Sequence, residues 1–189
     1  LASAQIAALV KEAFGVLVSQ LLRAISITAI VGVSLDQLSV LDHLVIVSLS
    51  SAQVAAMTTA QIGGLSTLQA QALTESQVSA LTSAQLAALG PEELATFSTA
   101  DIASISSKAI VGLTTETMAS LSTDQIAAIN VKSLGALTTA QVAALGSAQV
   151  EALSFTQVAG LTAAQITALG ASGLSTFTNA EIGNINRNA

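Results

Sequence analysis

Asp42 and His43 stand side by side, and they are where an acid–base pair could be drawn in this sequence. A catalytic dyad needs a nucleophile or a second base beside it, and none accompanies this one. His43, the single histidine, therefore reads as a solvent-facing or loop residue. The carboxylates are dispersed and form no ligand cluster. Cysteine is absent, which removes disulfides and thiolate metal sites. Neither a phosphate-binding glycine loop nor the glycine-rich nonapeptide of calcium-binding β-rolls is found. The expectation is a chain that is not an enzyme and needs no metal or other cofactor. One functional group does recur in a pattern, the side-chain amide of Gln53, Gln61, Gln69, Gln77 and Gln85, spaced by eight. A ladder of amides could bind a ligand. Helix capping accounts for the same residues without one.

The elements that carry these residues follow from the period. Read from Leu137, the chain runs LTTAQVAA, LGSAQVEA, LSFTQVAG, LTAAQITA. The phase holds from Leu1 to Ile185 without insertion or deletion, giving twenty-three complete octads and five further residues. The consensus is L-[ST]-x-x-Q-[IV]-x-[AG]. Every first position is apolar, and so is every sixth, with Ala70 its one small member. Internal repetition of this strength decides the fold class before any local propensity does.

Ser or Thr followed three residues later by Gln or Glu is a capping box: the hydroxyl accepts from the third helical N–H, and the longer side chain reaches back to the N–H of the cap. Eleven octads carry both halves, among them Thr58/Gln61, Ser122/Gln125 and Thr178/Glu181. Gly90, Gly146 and Gly170 take the cap position elsewhere, which glycine tolerates. Pro91 follows Gly90, where a first helical turn accepts it. One continuous helix fails on period, since eight residues at 3.6 per turn rotate the apolar stripe by about 80° per unit. A β-solenoid remains the alternative, but alternation of period two is weak and alanine is disfavoured in strands. The expectation is an all-α solenoid over 1–189 as one continuous domain, with one very short helix per octad. Such helices cannot stand alone, because nucleation costs more than a cap returns. First and sixth positions must bury against neighbouring units, and Ala or Gly at positions seven and eight lets helices approach closely.

A longer repeat lies over the octads. ISITAIVG at 25–32 matches ISSKAIVG at 105–112, and LGPEELATF at 89–97 matches LGASGLSTF at 169–177, both 80 residues apart. The higher units are 9–88, 89–168 and a partial 169–189. Ten octads divide by two and not by three, so a constant pose would favour two octads per coil.

Composition limits the partners. Charged residues are 8% of the chain, against roughly 25% in ordinary soluble domains, so hydroxyls, amides and methyls must build the surface. The five basic residues are scattered and form no stripe for phosphates, which argues against nucleic acid. Residues 14–33 are apolar apart from Arg23 and small polar groups, long enough to span a bilayer. The octad register runs through them unbroken, and membrane insertion is not expected.

Residues 9–49 depart most from consensus and place apolar side chains where other octads are polar or small. Drift in a decaying repeat is the plainer account, yet drift facing water should not run so consistently apolar. Val18, Leu22, Val31, Leu44, Val45 and Val47 therefore read as a self-association surface, with Leu22 at a core position in the octad. Of the four aromatics, Phe97 and Phe177 occupy core positions, and Phe155, at a third position, is the expected exposed anchor. Residue 1 already lies inside a repeat and no signal-peptide pattern opens the chain, so a segment of a longer array is expected. Its end units would then expose Leu1/Ile6 and Ile182/Ile185. The expected partners are further repeats or copies of the same chain.

The units LTTAQVAAL, LTSAQLAAL and LTAAQITAL resemble the octapeptide arrays of very large bacterial surface or secreted repeat proteins. The resemblance covers essentially the whole chain. It implies an extracellular, elongated role: a filament, stalk or sheath, or alternatively an adhesive module binding protein or glycan. LGPEELATF also resembles the first helix of the repeats in transcription activator-like effectors. Their second helix, 34-residue period and base-reading loop are missing, so that likeness implies a capped helix and not DNA binding.

Overall fold

The computed structural model describes residues 3–8 and 25–188. Among them there is no strand, and the chain is a succession of short helices. The octad 137–144 shows why. Leu137 (φ −57°, ψ 142°) and Thr138 (φ −69°, ψ 157°) are extended, which turns the chain. The Thr138 Oγ1 accepts from the Gln141 N–H at 3.2 Å, and the Gln141 Oε1 accepts from the Thr138 N–H at 2.8 Å. The helix Thr139–Ala143 follows, and Leu145 opens the next octad. Both halves of the capping box are thus made. They recur at Ser34/Gln37, Ser50/Gln53, Thr58/Gln61, Ser122/Gln125 and other octads.

First and sixth positions form the core. Leu38, Ile62, Val78, Leu94, Ile126 and Val142 at position six are buried, as are Leu65, Leu81, Phe97, Leu113 and Leu137 at position one. Ile6 is also fully buried, contrary to the expectation of an exposed end, and it joins the same core cluster. Burial weakens toward the other end: Leu145, Leu161, Ile166 and Ile185 are half-buried, and Leu174 and Ile182 are exposed.

Helices contact those 24 residues away. Thr59–Gly63 packs on Ser83–Ala88, Glu75–Ser79 on Thr99–Ser104, and Thr139–Ala143 on Ala163–Ala168. The coil therefore contains three octads, not the two that the 80-residue repeat suggested. Eighty is not a multiple of 24, so equivalent octads fall on different sides of the solenoid. The matching segments 25–32 and 105–112 nonetheless fold alike, each ending in a 3-10 turn, Ile30–Gly32 and Ile110–Gly112. Local sequence sets the local shape, and the coil number is set by packing.

Three rows of helices result. The first row contains the octads starting at 25, 49, 73, 97, 121, 145 and 169. The second contains those starting at 33, 57, 81, 105, 129, 153 and 177, and the third those starting at 41, 65, 89, 113, 137 and 161. Within a row, position seven of one coil meets position eight of the next. A Cβ on Gly63 would lie 2.9 Å from the Ala88 carbonyl oxygen, and one on Gly135 would lie 3.3 Å from that of Gly160. Small residues there permit this approach, as the pattern implied.

The rule of one helix per octad fails near the end. Gly90 and Gly146 are N-caps, but Gly170 is not: it has φ +64°, and the helix Gly170–Leu174 follows Leu169 directly in helical conformation. Left-handed φ is the conformation glycine adopts freely. The last helix, Asn179–Asn188, runs on through Ile185 for ten residues. No helix among the described residues is long and apolar enough to cross a membrane. Most of the apolar span 14–33 lies outside the described residues.

Candidate interaction surface

The glutamine ladder faces inward. Gln61 illustrates the geometry: its Oε1 accepts from its own cap, the Thr58 N–H, while its Nε2 donates to the carbonyls of Ile30 (2.9 Å) and Val33 (2.7 Å) in the preceding coil. Gln69 reaches Leu38 and Leu41, Gln77 reaches Ile46 and Leu49, and Gln141 reaches Ile110 and Leu113. The acceptors lie at the C-terminal end of a short helix, where carbonyls keep spare acceptor capacity: that of Ile30 takes the Val33 N–H at 3.1 Å as well as the amide, and Val33 itself is the C-cap. Each glutamine thus ties the start of one helix to the end of a helix one coil earlier. These side chains are buried, 1% exposed for Gln77 and 2% for Gln141, so the ladder offers no row of amides to a ligand. Capping was legible in the sequence; the second half of the amide's work was not, because it depends on the coil number. At Ser133 the task is redistributed, with its Oγ and the Asn130 Nδ2 donating to the Ile105 carbonyl.

Asp42 and His43 have a structural role. The Asp42 carboxylate caps its helix by accepting from the Leu44 N–H at 2.9 Å, and His43 Nδ1 lies 2.8 Å from it. Both side chains are exposed, 62% and 56% respectively. Among the described residues no group of three His, Cys, Asp or Glu is placed to hold a metal ion. His43 does border a groove of about 320 Å³ with Val47, Leu68, Gln71 and Ala72, which lies between adjacent coils of the third row.

The residues expected to form a self-association surface separate onto different rows. Val31 is exposed on the first row, Leu44 and Val47 on the third, and Phe155, 50% exposed, on the second. Val45 occupies a glutamine position and is half-buried against the core. Val18 and Leu22 lie outside the described residues. Sequence reasoning missed Leu68, 68% exposed and one coil beyond Leu44 in the same column. It also missed how charge is sorted. Glu75, Asp101, Asp124 and Glu151 fall on the first row, and Asp42, Glu92, Glu93 and Glu116 on the third. The middle of the second row, from 57 to 160, carries only Lys108 and Lys132. Residues 24 apart share a column, so this pattern is invisible until the coil number is known. Among the described residues the one contact at salt-bridge distance is His43–Asp42, so Lys108, Lys132, Glu92 and Glu116 have no such partner among those residues.

The chain matches none of the curated proteins with which it was compared. Residues 94–131 and 126–163 each match the ALTTAQ repeat, in tandem. The sequence ALTTAQ itself stands at 136–141, spanning the end of one helix, the capping threonine and the buried glutamine described above. The two tandem matches within residues 94–163 are consistent with an octapeptide-type repeat array.

Proposed function

We propose that the chain is a structural element, part of an elongated extracellular filament, stalk or sheath, that associates with further repeats or with copies of itself. The observation that carries this reading is the inward-facing glutamine ladder. Cohesion runs along the axis from coil to coil, so each added coil extends the same core and hydrogen-bond pattern without a limit set by the fold. The recurrent polar group is consumed in holding the array together. What remains outside is poor in charge, which lowers the barrier to association.

The adhesive reading draws on Phe155 and the groove beside His43. Binding modules concentrate aromatic and charged anchors on one face, and Phe155 is the one exposed aromatic among the described residues. Sedimentation over a concentration range, with electron microscopy of the associated material, tests the structural reading. Concentration-dependent association into elongated particles is expected. A monodisperse monomer at every concentration overturns it.

A further inference from the structure

We propose that the second row of one copy docks on the third row of another copy running antiparallel, with Phe155 seated in the groove beside His43 and Leu68. The inference rests on the self-associating reading and specifies its contact. On consecutive coils of the second row, positions three and four present Lys108, then Lys132, then Phe155, all exposed. On consecutive coils of the third row, position four presents Leu68, then Glu92, then Glu116, also exposed. The two orders are complementary when one copy is reversed. Seating Phe155 over Leu68 brings Lys132 opposite Glu92 and Lys108 opposite Glu116. The steps match without adjustment because both columns are spaced by the pitch of the same solenoid.

A parallel copy does not satisfy the same groups. With Phe155 over Leu68, Lys132 meets the octad of Asp42, whose carboxylate already accepts from the Leu44 N–H and pairs with His43. Glu92 and Glu116 are then left unopposed by these lysines. The groove is lined by the apolar side chains of Val47, Leu68 and Ala72 with polar groups only from His43 and Gln71, which suits a phenyl ring. The lysines and acids around it fix register and direction more than they add affinity. Because the two rows belong to different sides of the solenoid, the contact is heterologous. Unless the rotation closes, it repeats into an open array.

The chain has no cysteine, so paired single-cysteine variants report the register directly. Lys132→Cys mixed with Glu92→Cys, and Lys108→Cys mixed with Glu116→Cys, are expected to cross-link between copies on oxidation. Lys132→Cys mixed with Asp124→Cys, on the first row, is expected to stay uncoupled. In parallel, the double variant Lys108→Glu/Lys132→Glu should weaken association about tenfold or more, and mixing it with Glu92→Lys/Glu116→Lys should restore it. All these positions are exposed, so circular dichroism should be unchanged. Association with no preference for these pairs, or with equal coupling to Asp124→Cys, overturns this contact and leaves the structural reading intact. Absence of association at any concentration overturns both.

Discussion

Two stretches of this solenoid hold their coils together by different means. In the octads starting at 49 to 81, and again at 121 and from 137 to 161, a buried glutamine at position five donates back to the preceding coil. Between them lie four successive octads in which position five is Glu93, Asp101, Ala109 and Thr117. Alanine has no donor and ionised carboxylates only accept. Asp101 still completes its cap, accepting from the Ser98 N–H at 2.9 Å, and Thr117 pairs with the Thr114 hydroxyl at 2.9 Å. The local half of the pattern survives at Ser98 and Thr114 but not at Gly90, and the coil-to-coil half is lost in all four. Backbones approach closely at one point in this stretch: a Cβ on Gly112 would clash with the Ser83 carbonyl oxygen. Capping and stapling are thus separable tasks that glutamine combines, and the molecule can drop one while keeping the other.

The largest expected effect comes from the glycine at this close approach. Gly112→Ala places a methyl group inside contact distance of backbone, which no rotamer change can relieve. The two coils must separate, at a cost of about 3 kcal/mol or more. Hydrogen exchange should show faster opening of amides in the octads 81–88 and 105–112 than in 137–168. Equal protection in variant and parent would mean that the approach of these coils is not a tight constraint.

Gln141 probes the stapled stretch. Gln141→Ala removes the donor to Ile110 and Leu113 and leaves the Thr138 N–H without its partner, an expected loss of about 2–3 kcal/mol in denaturant unfolding. Gln141→Glu is the sharper variant. It keeps an oxygen for the cap but turns a carboxylate oxygen toward two carbonyl oxygens. Burial and those carbonyls disfavour the charged form, so the folded-state pKa should rise above the unfolded value of about 4.3. The variant is then destabilised above its folded-state pKa and regains stability as pH falls through that value, when the protonated acid can donate. A pH-independent deficit relative to the parent chain would show that the donor matters less than the shape.

The division of labour also marks what could be read from the sequence. A capping box is a contact between residues three apart, so Thr138 and Gln141 announce it without any fold. The apolar first and sixth positions likewise announce a core. The partner carbonyls of Gln141 lie 28 and 31 residues back, a distance that has meaning only when three octads make one coil. The 80-residue repeat pointed to two because it assumed that equivalent octads keep equivalent poses, and 25–32 and 105–112 lie on different rows. Sorting of Lys108 and Lys132 away from Glu92 and Glu116 was hidden for the same reason. Gly170 failed for a different one: glycine fits a cap position and a left-handed turn equally well, and the residues after it decide between them.

The smallest expected effect is a gain, and it separates the two tasks most cleanly. Asp101→Gln restores the consensus at a position where the cap is already satisfied. The new amide oxygen can take over from the Asp101 carboxylate, while the new Nε2 should reach the Ala70 and Leu73 carbonyls, 31 and 28 residues back, as Gln141 reaches Ile110 and Leu113. Two added hydrogen bonds contribute about 1–2 kcal/mol. Loss of an acid near a helix N-terminus subtracts up to about 0.5 kcal/mol. A net gain of about 1 kcal/mol raises the thermal midpoint by about 2–4 °C in a chain of this size. If glutamine at position five acted through capping alone, exchanging one cap acceptor for another would leave stability unchanged or slightly lower, since the charged acceptor is the stronger partner for the Ser98 N–H. A midpoint that stays level or falls would therefore locate the cohesion of the solenoid in apolar packing at positions one and six. A rise would locate part of it in the amide that crosses between coils.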